Sequence, residues 1–159
     1  MKKNLFGLFH LLFVVLILFF LFNCREPSNK QEDDKEKEYS LIGYWKSSYG
    51  DGFEINSTQF CQYDDATKTV SYAGNIVNNP DLESGSDYIT IEITDAGTWG
   101  KTVGEFYRVH WKEFTKNTVK ESSAYKSGGA STMPSQATAE TEFTVANGYF
   151  AYYGDYEKQ

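Results

Sequence analysis

The stretch Tyr88-Ile89-Thr90-Ile91-Glu92-Ile93-Thr94 constrains the fold more than any other, because isoleucine recurs at every second position. A period of two puts Ile89, Ile91 and Ile93 on one face of a strand and Thr90, Glu92 and Thr94 on the other, so one face is core and the other is wet. The run Glu105 to Phe114 repeats the pattern, with Tyr107, Val109 and Trp111 on one side and Arg108, His110 and Lys112 facing solvent on the other. Val70, Tyr72, Gly74 and Ile76 group in the same way, and Phe53 joins Ile55 opposite Glu54.

Extended along the chain, this reading gives eight strands, at 41–49, 52–56, 59–63, 69–77, 87–94, 104–114, 118–126 and 147–153. The links are short and rich in turn residues, such as Gly50-Asp51-Gly52, Asp64-Asp65 and Thr115-Lys116-Asn117, so consecutive strands should pair as hairpins. Residues 127–146 depart from this. Ser127-Gly128-Gly129-Ala130-Ser131 reads as a loop, and Pro134 to Phe143 predicts a short helix before the last strand, with Ala139 and Phe143 on one face. Eight meandering strands suffice to close a barrel around a side-chain-filled interior or one small ligand, and closure leaves no edge exposed. The expected fold is therefore all-β, an eight-stranded up-and-down antiparallel barrel. It occupies residues 40–159, a length suited to one domain.

The first 39 residues have a different texture. Lys2 and Lys3 precede an unbroken apolar run from Leu11 to Phe22, which reads as a secretion signal. Counted back to Leu5 the apolar stretch reaches eighteen residues, interrupted by Gly7 and His10, so a retained membrane helix is the alternative. The run ends in Leu21-Phe22-Asn23-Cys24, which resembles the lipobox of bacterial lipoproteins. That resemblance implies a signal peptide at 1–23, a diacylglyceryl group on the Cys24 thiol, and Cys24 as the first mature residue. Asn23 stands where such sequences most often have a small residue, and Arg25 stands where an Asp would signal retention in the inner membrane. Outer-membrane delivery within the cell envelope is the resulting expectation. From Arg25 to Tyr39 there is no aliphatic residue and there are ten charges of both signs. Such a stretch buries too little apolar surface to fold and reads as a flexible tether, spanning roughly 20 Å on average and about 50 Å fully extended.

Charge and cysteine content narrow the function classes. Two of the fifteen basic residues precede Cys24, which leaves thirteen against twenty-two acidic residues and a formal charge of −9 after it. That disfavours nucleic acid, which needs a basic face, and it disfavours electrostatic docking on anionic lipid. Attachment to a membrane would come from acyl chains on Cys24. With Cys24 acylated, Cys61 has no partner for a disulfide, and stability must come from a packed core.

No catalytic or metal-ligating constellation stands out, so neither an enzyme, a metal nor a cofactor is expected. His110 is the only His after Cys24, and no Cys-x-x-Cys or paired-His motif is present. A Cys61 and His110 nucleophile pair competes with the plainer reading of a packed strand cysteine and a solvent-facing His. Asn56-Ser57-Thr58 fits a glycosylation sequon and reads equally as a turn. Glu121 shares an alternating face with Val119, Ser123 and Tyr125. It points inward if Val119 is core, and a carboxylate there needs a partner or a cavity; the opposite register, or a bulge that turns it out, is its more ordinary fate. The rings of Tyr149, Phe150, Tyr152, Tyr153 and Tyr156 are too many for one strand to bury, so some should face solvent, over the barrel mouth or toward a partner.

Ile42-Gly43-Tyr44-Trp45-Lys46 resembles the Gly-x-Trp signature of lipocalins, in which the Trp packs across the closed end of the barrel. Thr94-Asp95 is similar to a second lipocalin motif. The strands Tyr88–Thr94 and Phe106–Phe114, with Ser123-Ala124-Tyr125-Lys126, Ala139-x-x-x-Phe143-Thr144-Val145 and Gly148-Tyr149-Phe150, resemble lipocalin-like lipoproteins of spirochaetes over nearly the whole domain. The resemblance implies a small barrel on a lipid anchor and brings no catalytic residue; the domain is expected to be monomeric. The expected function is a non-catalytic barrel holding a small apolar or amphipathic ligand, in a cavity lined by Tyr72, Ile91, Tyr107, Trp111 and Glu121. The alternative is a filled, ligand-free barrel, displayed on the surface, whose loops or aromatic C-terminal segment touch a host or envelope protein.

Overall fold

The computed structural model describes residues 39–159; the signal segment, Cys24 and the charged tether up to Glu38 lie outside the described residues. Eight strands run β1 (Gly43–Ser47), β2 (Asp51–Ile55), β3 (Gln59–Asp64), β4 (Val70–Ile76), β5 (Asp87–Asp95), β6 (Phe106–Lys112), β7 (Thr118–Ser123) and β8 (Gly154–Lys158). Each pairs antiparallel with the next, and β8 returns to β1, closing the barrel. Among the described residues one helix, α1 (Gln136–Glu142), comes before β8. The expected all-β up-and-down barrel is the observed fold.

Alternation decides which side chains fill it. Ile89, Ile91 and Ile93 all point inward and are fully buried, and the register sets Ile89 opposite Val109 and Ile91 opposite Tyr107. A line of rings crosses the interior from strand to strand. Trp45 stacks on Phe53 at 6.0 Å between ring centroids, Phe53 on Phe60 at 5.6 Å and Phe60 on Tyr72 at 5.9 Å, and Tyr72 meets Tyr107 edge to face at 5.2 Å. Such contacts add to the burial of each ring. Gly74 makes room for this packing, since a Cβ there would lie 2.5 Å from the carbonyl oxygen of Glu92. The strand pairing slips by one residue between Ala73 and Gly74 at the same point.

One end of the barrel is sealed. Trp45 is 0% exposed, its indole Nε1 donates to the Leu41 carbonyl at 2.7 Å, and Phe114 approaches its ring edge-on at 5.9 Å. Leu41 is held in turn by a backbone hydrogen bond to Leu82. Gly43, two residues before Trp45, has φ +138, a conformation that side-chain-bearing residues rarely adopt.

The last strand differs from expectation. Residues 147–153 are not a barrel strand; β8 is Gly154–Lys158. Tyr149 and Phe150 are both buried outside the ladder, where Phe150 makes only an isolated parallel bridge to Tyr125. Only Tyr156 of β8 is inward and buried, so that strand carries almost no apolar signal.

Helix α1 explains a second departure. Ser135 caps its N-terminus by accepting from the Thr138 amide, and Ala139 and Phe143 are buried beneath it. Its C-terminal turn has no basic residue of its own. Arg108 of β6 supplies the cation, donating from one guanidinium nitrogen to the carbonyls of Glu140 and Phe143 at 3.1 and 3.2 Å. The expected solvent face of β5 and β6 is thereby covered. His110 is only 7% exposed, packed against Tyr88, Phe150 and Tyr153, with hydrogen bonds to Ser86 and Tyr153. It is not solvent-facing.

Candidate functional site

Strand direction alternates around the barrel, so the end opposite Trp45 is built from the C-terminal ends of β1, β3, β5 and β7 and the N-terminal ends of the others. This end contains a cavity of about 400 Å³. Its floor is polar. Gln62 from β3 and Glu121 from β7 point into the barrel and are 2% and 4% exposed, because each alternates with an apolar core residue, Phe60 and Val119. Asp51 opens β2, Tyr156 comes from β8 and Tyr107 from β6. The β5–β6 loop adds Trp99 and Lys101, and Tyr125 and Tyr152 stand on the rim.

The hydrogen bonds on the floor have a fixed direction. Tyr156 donates its hydroxyl proton to the Asp51 carboxylate, which also accepts from Ser47. The same hydroxyl oxygen then accepts from Gln62 Nε2 at 3.3 Å. Gln62 Oε1 is left buried with no partner, a situation that costs about 1–3 kcal/mol when nothing fills it. Exchanging the amide atoms does not help, because the oxygen would then face a hydroxyl whose proton is committed to Asp51. On the other side, Ser123 Oγ donates to Glu121 at 3.2 Å and so receives the Tyr72 proton at 2.6 Å.

Burial dominates the electrostatics. It pushes the Glu121 carboxyl up to about 8, with Asp51 adding to the rise and the hydrogen bond from Ser123 opposing it, so Glu121 is mostly protonated at neutral pH. The same desolvation raises the phenols of Tyr72, Tyr107 and Tyr156, which therefore act as neutral donors. Lys101 is brought down to about 8 by burial. Its Nζ lies 3.7 Å from the centre of the Tyr107 ring and 5.9 Å from those of Tyr72 and Trp99, and it donates to the Ser131 carbonyl.

Of the residues expected to line a ligand cavity, Tyr107 and Glu121 do so, and Glu121 points inward. Tyr72 is buried just behind, joined to the floor through Ser123 and touching Trp99 at 5.3 Å between centroids. Ile91 and Trp111 are in the packed core away from the lining, and the Trp111 indole donates to the Ser84 carbonyl. Gln62, Asp51, Tyr156, Trp99 and Lys101 were not expected at a site. Gln62 was legible as the polar member of the inward face of β3, while Tyr156 was hidden by the misplaced last strand.

Cys61 and His110 do not meet: His110 bonds to Ser86 and Tyr153, and Cys61 is a half-buried free thiol whose pKa burial raises. No group of three or more potential metal ligands occurs among the described residues. A crevice of about 600 Å³ follows the outside of β1, β7 and β8, walled by charged side chains such as Lys46, Lys120 and Glu157. It holds no unpaired buried group. No protein-family model, curated protein or solved structure matches the chain.

Proposed function

We propose that this chain is a lipid-anchored lipoprotein of the cell envelope, tethered through Cys24 and delivered to the outer membrane. Its lipocalin-like barrel holds one small amphipathic ligand. The observation that carries this reading is the coincidence of a cavity of about 400 Å³ with a buried acceptor, Gln62 Oε1, that the protein itself leaves unpaired. That volume falls within the range of small-molecule sites, which combine aromatic walls with a few placed polar groups. Trp45, Phe53 and Phe60 of the aromatic line pack the interior away from the cavity lining, so the ligand occupies only the open end. Stable attachment to a bilayer needs more than one acyl chain, which a processed lipobox supplies.

A second reading, a surface-displayed interaction module, is favoured by Tyr125 and Tyr152, which stand on the rim 59% and 73% exposed. The two readings are separated by native mass spectrometry of the protein purified from its own host, with organic extraction of anything bound. A stoichiometric small molecule, lost in Gln62→Leu, supports the binding reading. An empty barrel that copurifies with a stoichiometric protein partner supports the other.

A further inference from the structure

Apart from the Glu121 carboxyl proton, the floor of the mouth cavity offers acceptors and no free donor. Gln62 Oε1 is unpaired, and Glu121 and Asp51 present carboxyl oxygens beside it. The hydroxyls of Tyr156 and Tyr107 are already spent on Asp51 and on the Ala124 carbonyl. The walls are ring faces, and one of them is occupied by a cation of the chain's own. Lys101 holds its ammonium 3.7 Å above Tyr107, near Trp99, with no carboxylate within ion-pair distance among the described residues. A partly buried ammonium that lacks an ion-pair partner rests there because the ring quadrupoles attract it.

Resting on the reading of this cavity as a binding site, the geometry points to its ligand class: a small primary ammonium compound with an apolar tail. Its N–H donors reach Gln62 Oε1 and Glu121, and its charge replaces that of Lys101 against the aromatic wall. Lys101 sits on the β5–β6 loop and leaves the cage when the ligand enters. The arriving cation favours the ionised form of Glu121, so the Glu121 proton passes to bulk buffer on binding. The groups facing Glu121 are Ser123 on its own strand, Asp51 from β2, Gln62 from β3, Tyr72 from β4, Tyr107 from β6, Tyr156 from β8 and Lys101 from the loop. Asp51 disfavours that ionisation, and the ligand's charge offsets it.

The test is titration calorimetry of the full-length protein in mild detergent with three probes of one shape: 2-phenylethylamine, 2-phenylethanol and 3-phenylpropionate. The amine is expected to bind at least about tenfold more tightly than the other two, with an enthalpy that changes between phosphate and Tris buffer because a proton is released. Lys101→Met should tighten amine binding by removing the competing cation, whereas Gln62→Leu and Glu121→Gln should weaken it. Binding of the alcohol or the carboxylate as tight as that of the amine would overturn the amine assignment and leave the cavity a binding site, as would loss of affinity in Lys101→Met. Failure of all three probes to bind protein whose circular dichroism is that of a folded β-barrel would overturn the binding-site reading as well.

Discussion

Trp45 donates its indole N–H to the carbonyl of Leu41, four residues earlier, at 2.7 Å, and both residues are almost fully buried. The bond fixes the segment before β1 across the sealed end, so the ring acts both as core and as a clasp. Trp45→Ala is expected to cost about 3–5 kcal/mol by loss of burial and creation of a cavity. Trp45→Phe keeps most of the packing and strands the Leu41 carbonyl, at about 1–3 kcal/mol. Urea denaturation of the two variants checks both the size and the order of these losses.

Stability should depend on pH through buried groups with opposite signs. Glu121, raised from 4.5 to about 8, binds its proton more tightly when folded, so its contribution is complete below the unfolded value and is lost as pH rises from 4.5 through 8. His110, pulled down from 6.5 to about 4 by burial, with Lys112 and Arg108 adding to the fall, works the other way, and stability is lost as pH falls from 6.5 to 4. The two slopes oppose each other between 4.5 and 6.5, where the profile should be flat. Above 6.5 Glu121 acts alone and stability declines by up to about 1.4 kcal/mol per pH unit. Past pH 8 the decline reverses, because Lys101, lowered from 10.5 to about 8, is easier to keep neutral in the folded state. Thermal melts of Glu121→Gln should lose the fall between 6.5 and 8; an unchanged fall would show that another group causes it.

Arg108 holds down helix α1 by its C-terminal carbonyls and stacks on Tyr88, with the guanidinium carbon 4.0 Å from the ring centre. Arg108→Met keeps much of the side-chain bulk and removes the hydrogen bonds, and should raise amide exchange in residues 136–143 selectively. The barrel strands should keep their protection. Uniformly faster exchange across the barrel would mean that Arg108 supports the whole fold and not the helix alone.

The Leu21-Phe22-Asn23-Cys24 sequence leads to an expectation at the other end of the chain. Intact mass analysis of protein from its host should find a chain beginning at Cys24 and carrying acyl chains. Cys24→Ser should move it from the detergent phase to the aqueous phase. A free Cys24 thiol with residues 1–23 still attached would sink the lipoprotein reading.

What the sequence disclosed depended on whether an inward face alternated cleanly. The isoleucines of β5 and the Tyr107, Val109 and Trp111 series of β6 did, and their orientation followed directly. His110 failed the same logic because the segment from Phe150 to Tyr153 that covers it comes from sequence some forty residues away, and local periodicity carries no record of what packs over an outer face. Glu121 was ambiguous for a different reason. Only the register that opposes it to Trp111 on one side and Gly154 on the other fixes it inside, and β8, which provides half of that register, has a single inward aromatic to announce it. The open-end cavity needed both answers, so its floor was the least legible part.

The seam between β1 and β8 joins Trp45 to Lys158, nearly the two extremes of the described domain, and Lys158 reaches on to donate to the Ser40 carbonyl at 2.9 Å. The other strand pairs are neighbours in sequence, six of them joined by short links and β7–β8 by a longer segment that contains α1, whereas this one must gather a loop of more than a hundred residues before any of its hydrogen bonds is made. Until it forms, β1 and β8 are open edges able to accept the matching strand of another copy. Closing this seam therefore carries the largest loop-closure cost in the barrel, and a high local concentration of copies before it closes would favour exchange of β8 between molecules.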